Sequence, residues 1–375
     1  MRVGIPHTGN LHIALKAIFR ELGAELVVPP PNNQRTLDLG VKYSPEGVCI
    51  PFKLTLGNLI EACELGADSI LQVRGFGICR LGYYAKIQKE VLHDLGYDVE
   101  MLTFNVSEHK LQSILQLLKR ISNNAPWPKV ISTFRFGLSK LAATDNIERI
   151  VHKMRPIEAE KGIVNQIYRE ALVTIDDVSD HSTLKRVTRD YSEKLYQIPK
   201  RIDFIPLKVG IIGEIFVVLD PFSNMDVEIE LGKLGVEVER SIFLSRWTKY
   251  SLFLNSLGMD EWKDVHKAAM PYLKRDVGGD GWESVGEKVL HADNYDGLVH
   301  LAPFTCMPEV VAQNIMPSTK ENLPVLTLLC DEQTAKPGML TRLEAFVDLL
   351  NFRRKKIRSQ GYGIEKQCYE KLSRH

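Results

Sequence analysis

LGAELVVP (residues 22–29) joins a Leu-Gly dipeptide to a short run of aliphatic residues, and the same pattern recurs along the chain. The further copies are LGADSILQV (65–73), LGYDVEML (95–102) and LGVEVERSIF (234–243). An apolar stripe at helical spacing precedes each Leu-Gly, and a glycine just past a helix adopts the left-handed conformation at low cost. The short Val, Ile and Leu runs suit buried strands. The repeat therefore predicts βαβ units and a parallel sheet.

The copies fall into two groups, which predicts three segments. Residues 1–106 form a first α/β domain, 107–205 a mostly helical segment, and 206–375 a second α/β domain with a C-terminal helix. The second group begins at KVGIIG (208–213) and continues through VEVERSIF, GLVHLAPF and PVLTLL. The strands of the first group are expected near Arg2–Ile5, Glu25–Val28, Ser69–Val73 and Asp98–Phe104.

Composition excludes several classes of protein. The 375 residues are 25% charged and 44% hydrophobic, with a formal net charge of +1, which is ordinary for a soluble globular protein. A nearly neutral chain lacks the broad basic field that nucleic-acid or anionic-membrane binding normally needs. The apolar runs are too short for a membrane span, and the opening MRVGIPHTGN lacks the apolar core of a signal peptide. We therefore expect a cytoplasmic protein with reduced thiols and without nucleic-acid or membrane partners.

Common catalytic motifs are absent from the sequence. There is no G-x-x-x-x-G-K-S/T loop, no H-E-x-x-H, no C-x-x-C and no G-x-S-x-G. GFGICRLG (75–82) approaches a dinucleotide fingerprint, but Arg80 stands where its third glycine belongs. These observations disfavour P-loop ATP hydrolysis, zinc proteolysis, thioredoxin-like chemistry and nicotinamide binding.

Cys49, Cys79 and Cys306 lie in loops punctuated by Gly and Pro, beside the ends of predicted elements. Ligands of open α/β sheets gather outside the carboxyl ends of the strands, so we expect these thiols to converge. Three thiolates without a nearby His favour an iron–sulfur cluster over catalytic zinc. The alternative is that each thiol simply packs, since free Cys is among the most buried residue types.

The other three cysteines have different settings. Cys63 completes an apolar helical stripe and is expected in the core, and Cys368 is structural or incidental. Cys330 ends the run VLTLLC, which is equally consistent with a ligand at a strand end and with a core residue.

Polar residues near the predicted strand ends are candidates for chemistry. Glu214, Glu309 and Glu332 could act as acid, base or hydrogen-bond partner, or they could cap helices and form ion pairs. Arg80 could donate hydrogen bonds to cluster sulfide, or it could form a surface ion pair.

Several of these residues lie in motifs that resemble the 2-hydroxyacyl-CoA dehydratase family, and most closely its activase-related (CoA protein activase) branch. The resemblance covers most of the chain, with the motifs in order. They are GVCIPFK (47–53), FGICRLGYYAKIQKEVL (76–92), GEIFVVLDPFSN (213–224), APFTCMPEVV (302–311) and DEQTAKPGMLTRLEAFVDLL (331–350).

The resemblance implies two flavodoxin-like domains with a helical middle segment and a [4Fe-4S] cluster in the cleft between the domains. The family's three cysteine ligands fall on Cys49, Cys79 and Cys306. A separate ATP-dependent iron–sulfur activator would supply low-potential electrons for radical dehydration or reduction of an acyl-CoA or small-molecule substrate, in an anaerobic setting. Relatives carry a double-cubane [8Fe-9S] cluster, but the settings of Cys63 and Cys368 favour a single cubane here. A homo- or hetero-dimer is expected.

Two other functions remain open at this point. The chain could be a non-catalytic cluster carrier, scaffold or activase-associated partner. It could also be a two-domain nucleotide-sugar transferase, which would explain the architecture but not three loop cysteines.

Overall fold

The computed structural model describes residues 1–74, 79–105, 110–122, 124–250 and 262–372. Gly75 and Gly77 of the fingerprint-like loop lie outside the described residues, as does the side chain of Cys368. Among the helices described, none is both long enough and apolar enough to cross a membrane.

The first sheet is four-stranded and parallel, with the order β2-β1-β3-β4. This is the beginning of the flavodoxin-like order, in which β1 and β3 flank the point where the chain reverses its direction of winding. Its strands are β1 (Arg2–Gly4), β2 (Glu25–Val27), β3 (Ser69–Arg74) and β4 (Glu100–Asn105). Its helices are α1 (Leu11–Leu22), α2 (Gln34–Tyr43), α3 (Ile50–Glu64) and α4 (Leu81–Asp94).

The second sheet repeats this topology with the order β6-β5-β7-β8. Two parallel four-stranded sheets of the same winding confirm the predicted α/β architecture. The strands are β5 (Leu207–Gly213), β6 (Val236–Arg240), β7 (Gly297–Pro303) and β8 (Val325–Cys330). The helices are α9 (Ile215–Leu219), α10 (Val227–Lys233), α11 (Leu244–Lys249), α12 (Lys263–Ala269), α13 (Gly281–Leu290), α14 (Met307–Ile315) and α15 (Lys336–Leu372).

In the described part of the segment that links the two sheets along the chain there are four helices. They are α5 (Lys110–Ile121), α6 (Trp127–Met154), α7 (Ile163–Asp177) and α8 (His181–Tyr196). Ile147, Val164 and Ile175 are fully buried among α6–α8 and share one core with Ile13 and Ala17 of α1. Because this core crosses from the first sheet's helices into the middle segment, the domain limits at 106 and 205 stay a prediction.

Helix α3 is buried around its whole circumference, from Ile50 to Cys63. A helix that is apolar on every face must lie inside the protein. Ile50 and Leu54 join the core of the second sheet, whereas Phe52 and Leu56 join a core of the first. α3 therefore forms a wall that both sheets share.

The polar side chains of α3 form hydrogen bonds or ion pairs, as burial requires, although the Nδ2 of Asn58 has no partner. Lys53 forms an ion pair with Glu332 at 2.6 Å. Glu61 accepts from Arg35 at 3.1 Å, and Asn58 Oδ1 accepts from the backbone N–H of His7 at 3.0 Å. These contacts fix the rotation of the helix between its neighbours.

Glycines allow α2 and α3 to cross in backbone contact. A Cβ placed on Gly57 would lie 2.0 Å from the Thr36 carbonyl oxygen, and one on Gly40 would lie 1.9 Å from that of Lys53. These carbonyl oxygens belong to the backbones of the two helices, so a Cβ at either glycine would push the helices apart.

We predict that Gly57→Ala lowers the free energy of unfolding by about 1–3 kcal/mol, because the added methyl group overpacks this crossing. Gly338→Ala is the matched control, since a Cβ there meets no atom within 4 Å. Its helical position should make it neutral or stabilising by up to about 1 kcal/mol. Urea unfolding followed by circular dichroism measures both, and equal stabilities of the two variants would contradict the crossing argument.

Candidate functional site

Three cysteines stand at the starts of three helices. Cys49 is the N-cap residue of α3 and Cys306 that of α14, while Cys79 precedes Arg80, the N-cap residue of α4. Pro51 and Pro308 lie in the first turns of α3 and α14, where a missing N–H costs nothing. Cys79 and Cys306 follow β3 and β7, the equivalent strands of the two sheets.

The three thiols interact electrostatically with one carboxyl group, that of Glu214. Burial raises the pKa of Cys49, and raises that of Cys79 to about 11, with Glu214 adding to both shifts. Burial likewise raises the pKa of Cys306, again with Glu214 contributing. Cys79 and Cys306 each also respond to Cys49. The structure thus brings the three predicted cysteines into one electrostatic neighbourhood.

Backbone N–H groups in the first helical turns oppose these shifts. Those of Phe52, Leu81 and Glu309 favour the thiolates of Cys49, Cys79 and Cys306 respectively. The side chains of Cys49 and Cys306 accept no cap hydrogen bond, and the Phe52 N–H donates to the Cys49 carbonyl oxygen at 3.0 Å. The effect on the thiols is therefore that of the positive end of the helix dipole. The same local device therefore serves all three thiols.

Tyr84 adds a hydroxyl group to this site. Its oxygen lies 2.8 Å from Cys49 Sγ, and its ring packs edge-on against Phe52. Burial, followed by the neighbouring Cys49, raises the pKa of Tyr84 well above its usual range. Tyr84 therefore stays protonated and can donate to a Cys49 thiolate.

Arg80 ties the three cysteine loops together. Its guanidinium donates to the carbonyl oxygen of Gly47 at 2.7 Å and to that of Thr305 at 2.6 Å. It also donates to Thr305 Oγ1 at 3.0 Å, and Thr305 Oγ1 in turn donates to Gly47 at 3.1 Å. We call this set of contacts among Gly47, Arg80 and Thr305 the arginine clasp. These donors are directed at backbone carbonyls, and the predicted contact of Arg80 with cluster sulfide stays a prediction.

Thr305 holds a conformation that β-branched residues avoid. Its φ is 68°, in the left-handed region, and this costs on the order of 1–3 kcal/mol. The clasp contacts offset this cost, and the resulting turn sets the position of Cys306.

Glu214 is the half-buried carboxyl at the centre of the site. It caps α9 by accepting from the Val217 N–H at 3.0 Å. Burial, with a smaller contribution from Glu309, raises its pKa to about 7, against the backbone N–H groups of Val217 and Phe216. A carboxyl with this pKa exchanges a proton readily near neutral pH, as the predicted acid–base role requires.

Asp280 is a second carboxyl beside Glu214. Its Oδ2 accepts from the Ile215 N–H at 2.9 Å. Burial, followed by Glu283 and Glu214, raises its pKa well above the usual range. The neutral form of Asp280 is therefore favoured more than that of a free carboxyl group.

Glu309 is fully buried on α14 and is held by two donors. Its Oε2 accepts from Ser284 at 2.9 Å and lies 2.7 Å from His300 Nε2, while its Oε1 has no partner. Glu332 lies in the Lys53 ion pair, which lowers its pKa. Glu309 and Glu332 are thus bound to protein partners, and their catalytic roles stay predictions.

The remaining cysteines with described side chains lie in cores. Cys63 packs in a core of the first sheet, as its stripe predicts, and burial raises its pKa to about 11. Cys330 is fully buried in the core of the second sheet, with its Sγ 3.8 Å from the Leu328 carbonyl oxygen. Of the two roles considered for Cys330, strand-end ligand and core residue, the structure shows a core residue.

An iron–sulfur cluster fits the chemistry of this donor set. Three thiols face N–H groups that favour their anions, and cluster formation would remove the thiol protons. Within the described ranges, no three His, Cys, Asp or Glu side chains are arranged to hold a single metal ion. Cluster ligands bind different irons and lie farther apart than the ligands of one ion, so the cluster stays a proposal.

The fold and the site together define a two-sheet α/β protein with thiols at the facing strand ends. Residues 2–72 match the family model described as a CoA enzyme activase uncharacterised domain. The match includes Cys49 and ends within β3, before Cys79. A search of curated proteins finds no match to this chain. The N-terminal segment is therefore similar to a CoA-activase-related family, and the match does not extend to the dehydratase branch.

Sequence reasoning missed Tyr84, Asp280, His300 and Thr305. His300 could have been noticed as the one ionisable residue within the apolar strand GLVHLAP, and Asp280 as an acidic residue inside the glycine-rich run VGGDGW. Tyr84 and Thr305 carry no such sequence signal, because their roles depend on contacts across the fold.

We predict that Glu214→Gln reduces the pH dependence of stability between about pH 4.5 and 7. The usual pKa is 4.5 and the folded one about 7, so in the wild type this group contributes stability at low pH that is lost as the pH rises. Gln stays neutral, and the variant should lose less stability across this window.

Urea unfolding at pH 5 and pH 7.5 measures this difference. The exposed Glu160→Gln is the control, and it should follow the wild type. A Glu214→Gln variant with the wild-type pH dependence would show that the Glu214 carboxyl titrates normally.

We predict that Arg80→Met lowers the free energy of unfolding by about 1–2 kcal/mol, since the clasp loses its charged donor. Arg189→Met is the control, because Arg189 contacts only surface carboxylates and should contribute about 0–1 kcal/mol. Thermal and urea unfolding report both variants, and equal losses would mean that the clasp adds nothing to stability.

Proposed function

We propose that this chain holds a [4Fe-4S] cluster through Cys49, Cys79 and Cys306. It would receive low-potential electrons from an ATP-dependent iron–sulfur activator and would use them to dehydrate or reduce an acyl-CoA or small-molecule substrate. The proposal rests on one observation: three thiols at three helix starts interact with one half-buried carboxyl, Glu214. The similarity of residues 2–72 to a CoA-activase-related family supports a role that involves a CoA enzyme activator.

When bound, the cluster would supply one-electron reduction and an iron atom that lacks a protein thiolate and can act as a Lewis acid. The chain's own residues prepare the site for it. First-turn N–H groups stabilise the thiolates, and the Tyr84 hydroxyl can donate to Cys49. The arginine clasp holds the loops of Cys49, Cys79 and Cys306 at fixed separations.

Glu214 is the group best suited to move a proton during dehydration. Elimination of water needs a proton on the leaving oxygen, and a carboxyl with a pKa of about 7 can deliver one near neutral pH. Burial, followed by Glu283 and Glu214, also raises the pKa of the neighbouring Asp280, which accepts from the Ile215 N–H.

A second candidate function is an electron carrier or activase-associated partner without turnover of its own. The match of residues 2–72 favours it, because the matched family is described by its relation to a CoA enzyme activase and not by a dehydratase reaction. The two functions share the cluster site and differ in whether Glu214 acts on a substrate.

The experiment is anaerobic purification or reconstitution, followed by iron and sulfide assay. We predict about four irons per chain, and an electron paramagnetic resonance signal after reduction. Cys49→Ser, Cys79→Ser and Cys306→Ser should each lose the cluster. Cys63→Ala is the matched control and should retain it, because Cys63 packs in a core away from the helix starts.

A folded, iron-free wild type would refute the proposal. Loss of iron in Cys63→Ala without loss in Cys79→Ser would refute the ligand set. About eight irons per chain would favour the double cubane. Substrate turnover in the presence of the ATP-dependent activator separates the enzyme from the carrier.

A further inference from the structure

A second cavity, of about 450 Å³, opens between the first sheet, the helical segment and the second sheet. Its volume is in the range of small-molecule sites. It is distinct from the thiol site: His7 in its wall binds Asn58, nine residues and about 13 Å along α3 from Cys49. The short helix α9 spans the two, with Glu214 at its start and Asp220, a lining residue, just past its end.

The charged side chains of the wall are already paired with protein partners. Arg240 bonds to Glu148 at 2.5 Å and to Glu228 at 3.0 Å. Lys16 pairs with Asp176 at 2.6 Å. Further pairs involve Asp226 with Lys336, Asp220 with Asn32 and Ser223, and Arg155 with Asn165 and the Glu228 carbonyl. An anionic ligand would therefore meet four carboxyl groups and only cations that already bond to protein partners. The carboxyl groups are those of Glu148, Asp220, Asp226 and Glu228.

Two polar atoms of the wall are buried and have no partner. They are the Nδ1 of His12 and the Oδ1 of Asn32, and both residues line the cavity. An amide oxygen can only accept a hydrogen bond. Burial lowers the pKa of His12 to about 4, so its ring is neutral at pH 7 and carries one N–H, which the nearby Gly9 carbonyl oxygen favours. Folded proteins rarely leave such atoms unsatisfied.

The rest of the wall is apolar or rigid. Val28, Leu172, Val218 and Leu219 contribute aliphatic surface. His7 is fixed by its Nε2–H, which donates to the Pro29 carbonyl oxygen at 2.6 Å, and its ring packs edge-on against His12 at 5.4 Å. Aliphatic surface combined with a few fixed polar groups is typical of a binding site for a small molecule.

Next to this wall, the backbone is strained. Met225 and Asp226 are consecutive non-glycine residues with φ of 57° and 60°. Asp226 lines the cavity, and Asn224 before it is held by the Val217 carbonyl oxygen at 2.8 Å. Strain of this kind persists where surrounding contacts enforce it, and it clusters at ligand sites.

We propose that this cavity binds a small uncharged or cationic molecule that donates a hydrogen bond from a hydroxyl or amino group to Asn32 Oδ1. The unpartnered amide oxygen selects a hydrogen-bond donor, and the four carboxylates of the wall, beside cations that are already paired, disfavour anions. The site goes beyond the cluster chemistry and does not depend on it.

The experiment titrates the full-length protein with stated probes and follows binding by saturation-transfer NMR. The donor-rich probes are myo-inositol, glucosamine and Tris; the anionic probes are inorganic phosphate and citrate. We expect saturable millimolar binding of at least one donor-rich probe and none of the anions. Leu172→Trp should abolish this binding by filling the cavity, and Asn32→Leu should weaken it at least about tenfold by removing an acceptor.

Val173→Trp is the matched control, because Val173 is the next residue on α7 and is 64% exposed. It should bind like the wild type, and circular dichroism checks that each variant is folded. Absence of binding by all donor-rich probes, binding that survives both Leu172→Trp and Asn32→Leu, or preferential binding of phosphate or citrate would each overturn the proposal.

The Cys49→Ser variant separates the two proposals. It should lose the cluster and retain the probe binding, because the cavity contains no cysteine. Failure of the cluster proposal would therefore leave the cavity result unaffected, and failure at the cavity would leave the iron assay unaffected.

Discussion

The burial of α3 is the constraint on which the rest of this structure depends. One helix supplies core residues to both sheets, so neither sheet completes its core without it. Its first residue follows Cys49 directly, and its interior Asn58 reaches the wall of the second cavity. Because the helix can neither rotate nor slide without breaking buried polar pairs, these two positions are fixed with respect to both sheets. Both candidate sites rest on this rigid element.

Burial also sets the electrostatics of the thiol site. Removing a thiol from water disfavours its anion, and the nearby Glu214 carboxyl adds to that cost. Helix starts are the natural compensation, because their free N–H groups favour negative charge without adding another ionisable group. The arginine clasp, built from one exposed side chain and two carbonyls, then sets the separations of the three loops. Pre-organisation of this kind is what a cluster with three ligands from distant parts of a chain requires.

Much of the fold could be predicted from sequence because Leu-Gly followed by an aliphatic run is a local pattern. Glycine past a helix and the strand after it depend on neighbours a few residues away, so the two sheets and their order of elements followed. Placement of Cys49, Cys79 and Cys306 beside element ends followed from the Gly and Pro residues in their loops. The contacts of Arg80 did not, because its partners Gly47 and Thr305 are 33 and 225 residues away. The orphaned atoms of His12 and Asn32 were likewise beyond prediction, since burial without a partner is a property of the assembled wall.

The shortness of α9 has a mechanical consequence. Its five residues, just over one turn, separate Glu214 from Asp220. Glu214 titrates near neutral pH, and Asp220 accepts a hydrogen bond from Asn32. A helix this short is stiff, so a displacement of one end also moves the other end. Reciprocity then requires that any factor by which a ligand beyond Asp220 changes the proton affinity of Glu214 also applies to that ligand's own affinity when Glu214 is protonated. One short helix joins the two sites.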